Sequence, residues 1–452
     1  QLHYEILGNF QNIDLAKVIG KRDYTSDLNF NLNVEGKGFQ PDTLKSKVQL
    51  NLASSMLMNE PISSMNVLIS YDQGDYLIDT FNLKSSFAYF NMKGSGNVYN
   101  NNNLNYSFEM GDIERISQRM LQQKVSAKGY VEGSFSGSAD SLALEALFDL
   151  KDLQYDSIYA STFAGDLSTL YKDSLIFSGQ GDFRLDSLRL DTIPLEKLTV
   201  EMDYKKDELE NLINLVVHDS LRLELHSWLR EEPDPKMYIQ KLSSQDRLNH
   251  WNAGGDSTYI LLEKESVQVH GFHARSDSQS LRIKGGLAFQ GDQNLRVQFR
   301  NINLDWLSGF VDPGFPISGF FSGDIDLEGT AEKPVLNSVF TLDHPSIDTL
   351  TFQSVQARFD YSENKVLFEG SITANHAMLL HIEGNALHSI SLNDTLSLPD
   401  ASTPIEGSLL IEQLNPGLFN SFLKSGLKLN GMMRVEASVD STLGHPDYEG
   451  TL

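Results

Sequence analysis

The residues that could do chemistry are few and scattered. Two histidines stand close in "HGFH", His270 and His273, a pair to be weighed as metal ligands. The segment alternates as a strand, which sends the two rings to opposite faces, the wrong arrangement for joint ligation. His381 in "MLLHIEG" stands alone, and the other histidines are dispersed as surface residues are. "GDIDLEG" at 323–329 opens like a calcium loop, but it lacks the closing acidic ligand and alternates like a strand. "GDFRLDSLRLD" at 181–191 sets Asp182, Arg184, Asp186 and Ser187 near one another, and cross-strand charge pairing on a wet face accounts for them. "GSGNVYN" at 94–100 holds a G-x-G between strand and turn, not opening a helix that could cradle a phosphate. There is no G-x-S-x-G, no Walker A sequence and no cysteine, so thiolate chemistry and disulfides are excluded. No catalytic, cofactor or metal residue is assigned, and the chain reads as a non-enzyme.

The elements around these residues are strands. "DLNFNLNVEG" puts Leu28, Phe30, Leu32 and Val34 on one face and Asn29, Asn31, Asn33 and Glu35 on the other. "KVQLNL" continues the pattern with Val48 and Leu50. "LNYSFEM" sets Leu104, Tyr106, Phe108 and Met110 against Asn105, Ser107 and Glu109. "LTVEMDY" sets Leu198, Val200, Met202 and Tyr204 against Thr199, Glu201 and Asp203. "LRVQFRN" sets Leu295, Val297 and Phe299 against Arg296, Gln298 and Arg300. Strands with one dry and one wet face belong to antiparallel sheets. Turn clusters such as "YDQGDY", "YNNNNLN", "ARSDSQS", "FQGDQN" and "YSENK" separate them, which predicts on the order of 30–40 strands joined by short turns.

One device recurs. "GFFSGDIDLEGTAEKP" opens at Gly319, carries Phe321, Gly323, Ile325 and Leu327 on one face, and reaches Gly329 and Pro334. "GMMRVEASVDSTLGHP" opens at Gly431, carries Met433, Val435, Ala437 and Val439, and reaches Ser441 and Pro446. Looser copies run through Lys128–Leu150 and Leu32–Leu52, with turn anchors at Gly137 and Gly36. A short amphipathic stretch precedes each copy, at 12–20, 111–124, 301–311 and 414–426. Asp112 and Asn415, the latter before Pro416, are read as helix N-caps. The expected organisation is one repetitive sheet over 1–452, with loose units at 1–110, 111–300 (double and eroded), 301–410 and 411–452 (truncated).

Composition narrows the partners. The net charge of −25, with a pI near 4.7, argues against nucleic acid and against docking on anionic headgroups through a basic face. The lack of cysteine is compatible with an oxidising compartment such as a periplasm. No window approaches a membrane-spanning helix. The sequence begins at Gln1 without a leader pattern and stops in "YEGTL" where a strand should start, so a piece of a longer protein is expected. An apolar stripe on every strand, with few helices to cover it, must be hidden in a sandwich, a barrel or a trough. A sandwich core needs no function, whereas a trough would present its lining to an apolar ligand.

The motif "SGFFSGDIDLEGTAEKPVLNSVFTL" (318–342) resembles the repeat of the TamB branch of the AsmA-like superfamily, in which a short helix and a glycine-anchored hairpin precede a Pro-led strand. "LNGMMRVEASVDSTLGHPDYEGTL" (429–452) is similar but has Ser441 for the turn glycine, and 150–300 matches in alternation alone. The resemblance implies an all-β, elongated, repetitive antiparallel sheet curled into a taco-like hydrophobic groove, with a few short amphipathic helices at repeat starts. It implies a non-catalytic periplasmic bridge, part of an inner-membrane-anchored protein, that conducts phospholipid acyl chains to the outer membrane and supports outer-membrane protein assembly. The implied partners are phospholipid, the membranes at the ends of the full-length protein and an Omp85-type barrel of the TamA/BamA kind. This stretch would be the middle of the bridge. The residues of the alternating stripes, together with Phe321, Ile325, Leu327, Met433 and Val435, would line the groove. Two other readings stay open: a chaperone-like scaffold passing unfolded outer-membrane polypeptides by strand addition, and a surface adhesin of closed β-sandwiches.

Overall fold

The computed structural model describes residues 2–451, apart from 21–23, 41, 112, 115–116, 119–122, 139, 173–174, 192, 219–220, 231–233, 247–248, 308–316, 348–349, 375–376, 394–398 and 417–429. The fold is all-β and antiparallel. The chain divides into two compact units, Gln1–His226 and Ser227–Leu452, a division that falls inside the 111–300 stretch.

The first unit is an antiparallel meander. Its strands are β1 (His3–Ile13), β2 (Ser26–Lys37), β3 (Lys45–Leu52), β4 (Ser55–Leu57), β5 (Glu60–Asp72), β6 (Asp75–Ser85) and β7 (Ala88–Asn97). They continue as β8 (Asn102–Met110), β9 (Val125–Ser138), β10 (Ser141–Tyr155), β11 (Ile158–Lys172), β12 (Leu175–Leu190), β13 (Ile193–Lys205) and β14 (Glu208–His218). Strand β15 (Leu221–Arg230) spans the division. The second unit begins with β16 (Lys236–Gln245), β17 (His250–Ala253), β18 (Tyr259–Leu262), β19 (Ser266–Ser276), β20 (Gln279–Ala288), β21 (Leu295–Asn303), β22 (Ile317–Gly329) and β23 (Pro334–Ile347). It ends with β24 (Leu350–Thr351), β25 (Ser354–Ser362), β26 (Lys365–Ala374), β27 (Ala377–Leu387), β28 (Ile405–Leu414), β29 (Met433–Thr442) and β30 (His445–Thr451).

The turn chemistry follows the sequence. Gln73 and Gly74 between β5 and β6 have φ of 54° and 103°, and Glu363 and Asn364 between β25 and β26 have 50° and 63°. Two left-handed central residues give the twist that closes a two-residue hairpin. The repeat is visible in register. Gly329 pairs with Pro334 at φ 80°, and Ser441 pairs with Pro446 at φ 89°, so the serine takes the backbone shape of the glycine it replaces. One anchor moves: Gly36 lies within β2 opposite Ser46, and Gly38, at φ 75°, is the turn residue.

Helix α1 (Leu15–Ile19) starts at Asp14, whose Oδ1 accepts from the Ala16 N–H at 3.1 Å, and Gly20 ends it at φ 71°. Of the stretch 301–311, four residues form helix α2 (Leu304–Leu307), while Ile302 and Asn303 still belong to β21. Asp112 and most of the helices expected at 111–124 and 414–426 lie outside the described residues.

Bulges interrupt the ladders at recurring places: Phe10/Ile13 on β1, Lys151/Gln154 on β10, Phe299/Ile302 on β21 and Ile411/Leu414 on β28. A bulge bends its strand. Residues next to the bends are buried: Ile302 is 4% exposed, Leu414 7%, and Ala160, Leu188 and Leu195 form a small core beside the β10 bulge. The apolar stripe residues read from the sequence are covered only in part.

Candidate functional site

Strand register connects the apolar stripes strand by strand. In the first unit Leu32 opposes Leu50, and the row continues through Val67, Phe81, Met92 and Tyr106. Phe30 opposes Leu52, and its row runs through Met65, Leu83, Phe90, Phe108, Val131 and Phe148. Val34 opposes Val48, and its row passes Ile69, Ile78 and Gly94 to Leu104 and Phe135. Leu28 sits opposite Ile13, and Met110 opposite Ala88 and Gly129. Leu198, Val200 and Met202 oppose Leu185, Phe183 and Gly181 on β12. The stripe residues of this unit therefore share one face.

The second unit repeats the arrangement. Leu295 opposes Leu327, Val297 opposes Ile325, and Phe299 opposes Gly323, next to Phe321 on the same side of β22. Val435 opposes Ile411 and Met433 opposes Leu414. Every stripe residue named from the sequence is half-buried, none inaccessible and none fully exposed. A side chain in the middle of a packed sandwich would be inaccessible. Within each unit the apolar face is thus only partly covered.

The other face is wet. Asn9, Asn31, Asn51, Asn66, Asn82 and Asn91 form one cross-strand row, and Asn9 Nδ2 donates to Asn31 Oδ1 at 2.7 Å. In the second unit Arg300 Nη2 lies 2.8 Å from Asp324 Oδ1, Gln298 Nε2 donates to the same oxygen at 2.7 Å, and Arg296 pairs with Asp326. Hydrogen bonding from Arg300 holds the Asp324 carboxyl below the usual carboxylate range. A depressed carboxylate adds stability above that range and loses it as the pH falls through its folded value. Both side chains are more than a third exposed, so solvent screens the pair. Asp324→Asn is expected to lower stability at neutral pH by less than about 1 kcal/mol. Urea melts at neutral and strongly acidic pH check this, because the difference should vanish in acid.

Two sequence-based expectations change. The bulge between Val269 and Phe272, at Gly271 with φ 67°, breaks the alternation, so His270 and His273 fall on the same wet face rather than on opposite faces. They are still not partners. His270 stacks on Tyr259 at 4.4 Å, while burial and the guanidinium groups of Arg275 and Arg282 push the His273 pKa down. Among the described residues, no three His, Asp or Glu side chains are placed to hold a metal. Likewise, Asp182 has no basic cross-strand neighbour, since it opposes Asp166 and Glu201. Arg184 pairs along its own strand with Asp186 at 2.9 Å, and Asp186 has Lys197 opposite it on β13, so cross-strand charge pairing holds at Asp186 and not at Asp182.

Other lining residues escape a reading by alternation. Phe148, Phe163 and Phe183 on β10–β12 cluster with ring centroids 5.7–6.1 Å apart. Their strands are dotted with Gly165, Gly179 and Gly181, which blank out the apolar period. Aromatic residues flanking a glycine at two-residue spacing were the available signal.

Searches among curated proteins and among solved structures return no match. The sequence does match the family described as "TamB, N-terminal domain", over residues 1–452. With that match over the full span, and a glycine-anchored β-repeat carrying one apolar face in each unit, the chain belongs to the TamB family.

Proposed function

We propose that the chain is a non-catalytic part of a periplasmic bridge whose apolar face carries phospholipid acyl chains between the inner and outer membranes. The observation that carries this reading is the row-by-row continuity of a half-covered apolar face across many strands. An acyl chain gains by leaving water for such a surface, at roughly 0.8 kcal/mol per buried methylene. Ser338, opposite Ile325 on this face, donates its hydroxyl to the Phe359 carbonyl at 2.9 Å. Membership of the TamB family supports a role in lipid transport or outer-membrane assembly. No helix among the described residues is long and apolar enough to cross a membrane. An Omp85-type barrel at the outer membrane is the proposed protein partner.

The test is lipid extraction from the purified chain followed by mass spectrometry. Copurifying phospholipid, exchangeable with added vesicles, is the expected result. Clean protein that takes up no phospholipid from vesicles would overturn the conduit and favour a polypeptide scaffold.

A further inference from the structure

Some rings of the apolar face lie flat along the sheet instead of standing off it. Phe183 and Gly181 are two residues apart on β12 and so share the apolar face. A methyl group on Gly181 would lie 2.6 Å from Phe183 Cε2 and 3.1 Å from its Cζ, while the next atom, the Asp166 carbonyl oxygen, is at an ordinary 3.4 Å. The ring is thus folded back over the glycine, which is buried beneath it. In that posture it stacks on Phe163 at 5.8 Å and 9°. β1 repeats the arrangement. The three atoms nearest to a methyl group on Gly8 all belong to the Phe10 ring, which stacks on Phe30 at 4.7 Å. Neither Gly8 nor Gly181 has a left-handed φ, so the backbone does not demand glycine at either position. The ring above each one does.

We infer that Gly181 and Gly8 are positioning residues that seat Phe183 and Phe10 flat, and that this posture sets the depth of the apolar face available to an acyl chain. The inference rests on the conduit reading. A flat ring fills one layer of carbon contact, about 3.5–4 Å. A raised ring projects its width into the space where a chain would lie, and it does so between Leu167 and Met202, the cross-strand neighbours of Gly181. The movable partner of an added methyl group is the free end of the ring, so the strand can stay in register while the ring lifts.

Gly181→Ala is compared with the unmodified chain for uptake of a fluorescent-acyl phosphatidylethanolamine from vesicles of phosphatidylethanolamine and phosphatidylglycerol. Thermal melting is followed in parallel. The expected result is unchanged melting with a several-fold loss of uptake, restored in Gly181→Ala/Phe183→Leu, where no ring remains to lift. Uptake by Gly181→Ala equal to that of the unmodified chain overturns the positioning role and leaves the conduit standing. A loss that the double variant fails to restore also overturns it, by assigning the defect to the strand. If the unmodified chain takes up no lipid, the conduit reading falls and the inference with it.

Discussion

Ile325→Glu is expected to abolish phospholipid occupancy while leaving the second unit folded. Ile325 sits on β22 between Val297 and Ser338, in the interior of the apolar rows. It is only half-buried. A glutamate there can keep its carboxylate in water, so the cost to folding should stay within about 1 kcal/mol, the range of partly exposed substitutions. For a bound acyl chain the change is different in kind. A charge brought beside hydrocarbon without a partner costs several kcal/mol, on the order of 2–7 even for a neutral polar group. Phe108→Asp makes the same test in the first unit, where Phe108 opposes Phe90 and Val131. Lipid per chain by mass spectrometry is read against urea unfolding. Normal unfolding with lipid lost is the expected pair of results. Collapse of the unit would mean that the face is sealed as a packed core, and normal lipid content would mean that the acyl chain runs elsewhere.

Alternation makes most of the strands and both faces legible in the sequence. Where Leu, Phe and Val recur at every second position, as in β2 and β8, a one-residue slip would exchange the faces, so the pattern fixes the register. The hairpins were equally readable from Gln73–Gly74 and Glu363–Asn364, because few residues accept left-handed φ. Reading failed where one inserted residue resets the period. The bulge at Gly271 moves His273 to the face of His270, and its one sign in the sequence is the glycine itself inside an alternating run. It failed again at β9–β12. There the lining is shared between aromatics and glycines, and a glycine carries no side chain to mark the apolar period although its surface is part of the face. The openness of the face was not legible either, since an apolar stripe suits a sandwich as well as a trough. Only partial exposure of the stripe residues separates the two.

The second large effect is expected from a glycine whose neighbour cannot move. Gly133 lies at the centre of β9, opposite Tyr106 on one side and Ala146 on the other. Its φ is ordinary, as at Gly181, so alanine is allowed by the backbone. The surroundings differ. A methyl group on Gly133 would collide with the Glu145 carbonyl oxygen and lie 2.8 Å from both the Glu145 carbonyl carbon and Tyr106 Oη. The Tyr106 hydroxyl donates to that same Glu145 oxygen at 3.2 Å, across the space the glycine leaves free. Burial raises the Tyr106 pKa, which keeps the hydroxyl protonated as a donor. Gly133→Ala must therefore push β9 away from β10, and forced backbone shifts of this kind cost roughly 1–3 kcal/mol. Tyr106→Phe removes only the hydrogen bond and should cost about 1 kcal/mol or less. The expected result is a lower urea midpoint for Gly133→Ala than for Tyr106→Phe. Amide protection should also be lost along β9 and β10, where Gly181→Ala on β12 keeps it. Wild-type melting of Gly133→Ala would show that these two strands can part without cost. The contrast between ring-seating and strand-spacing glycines would then be wrong.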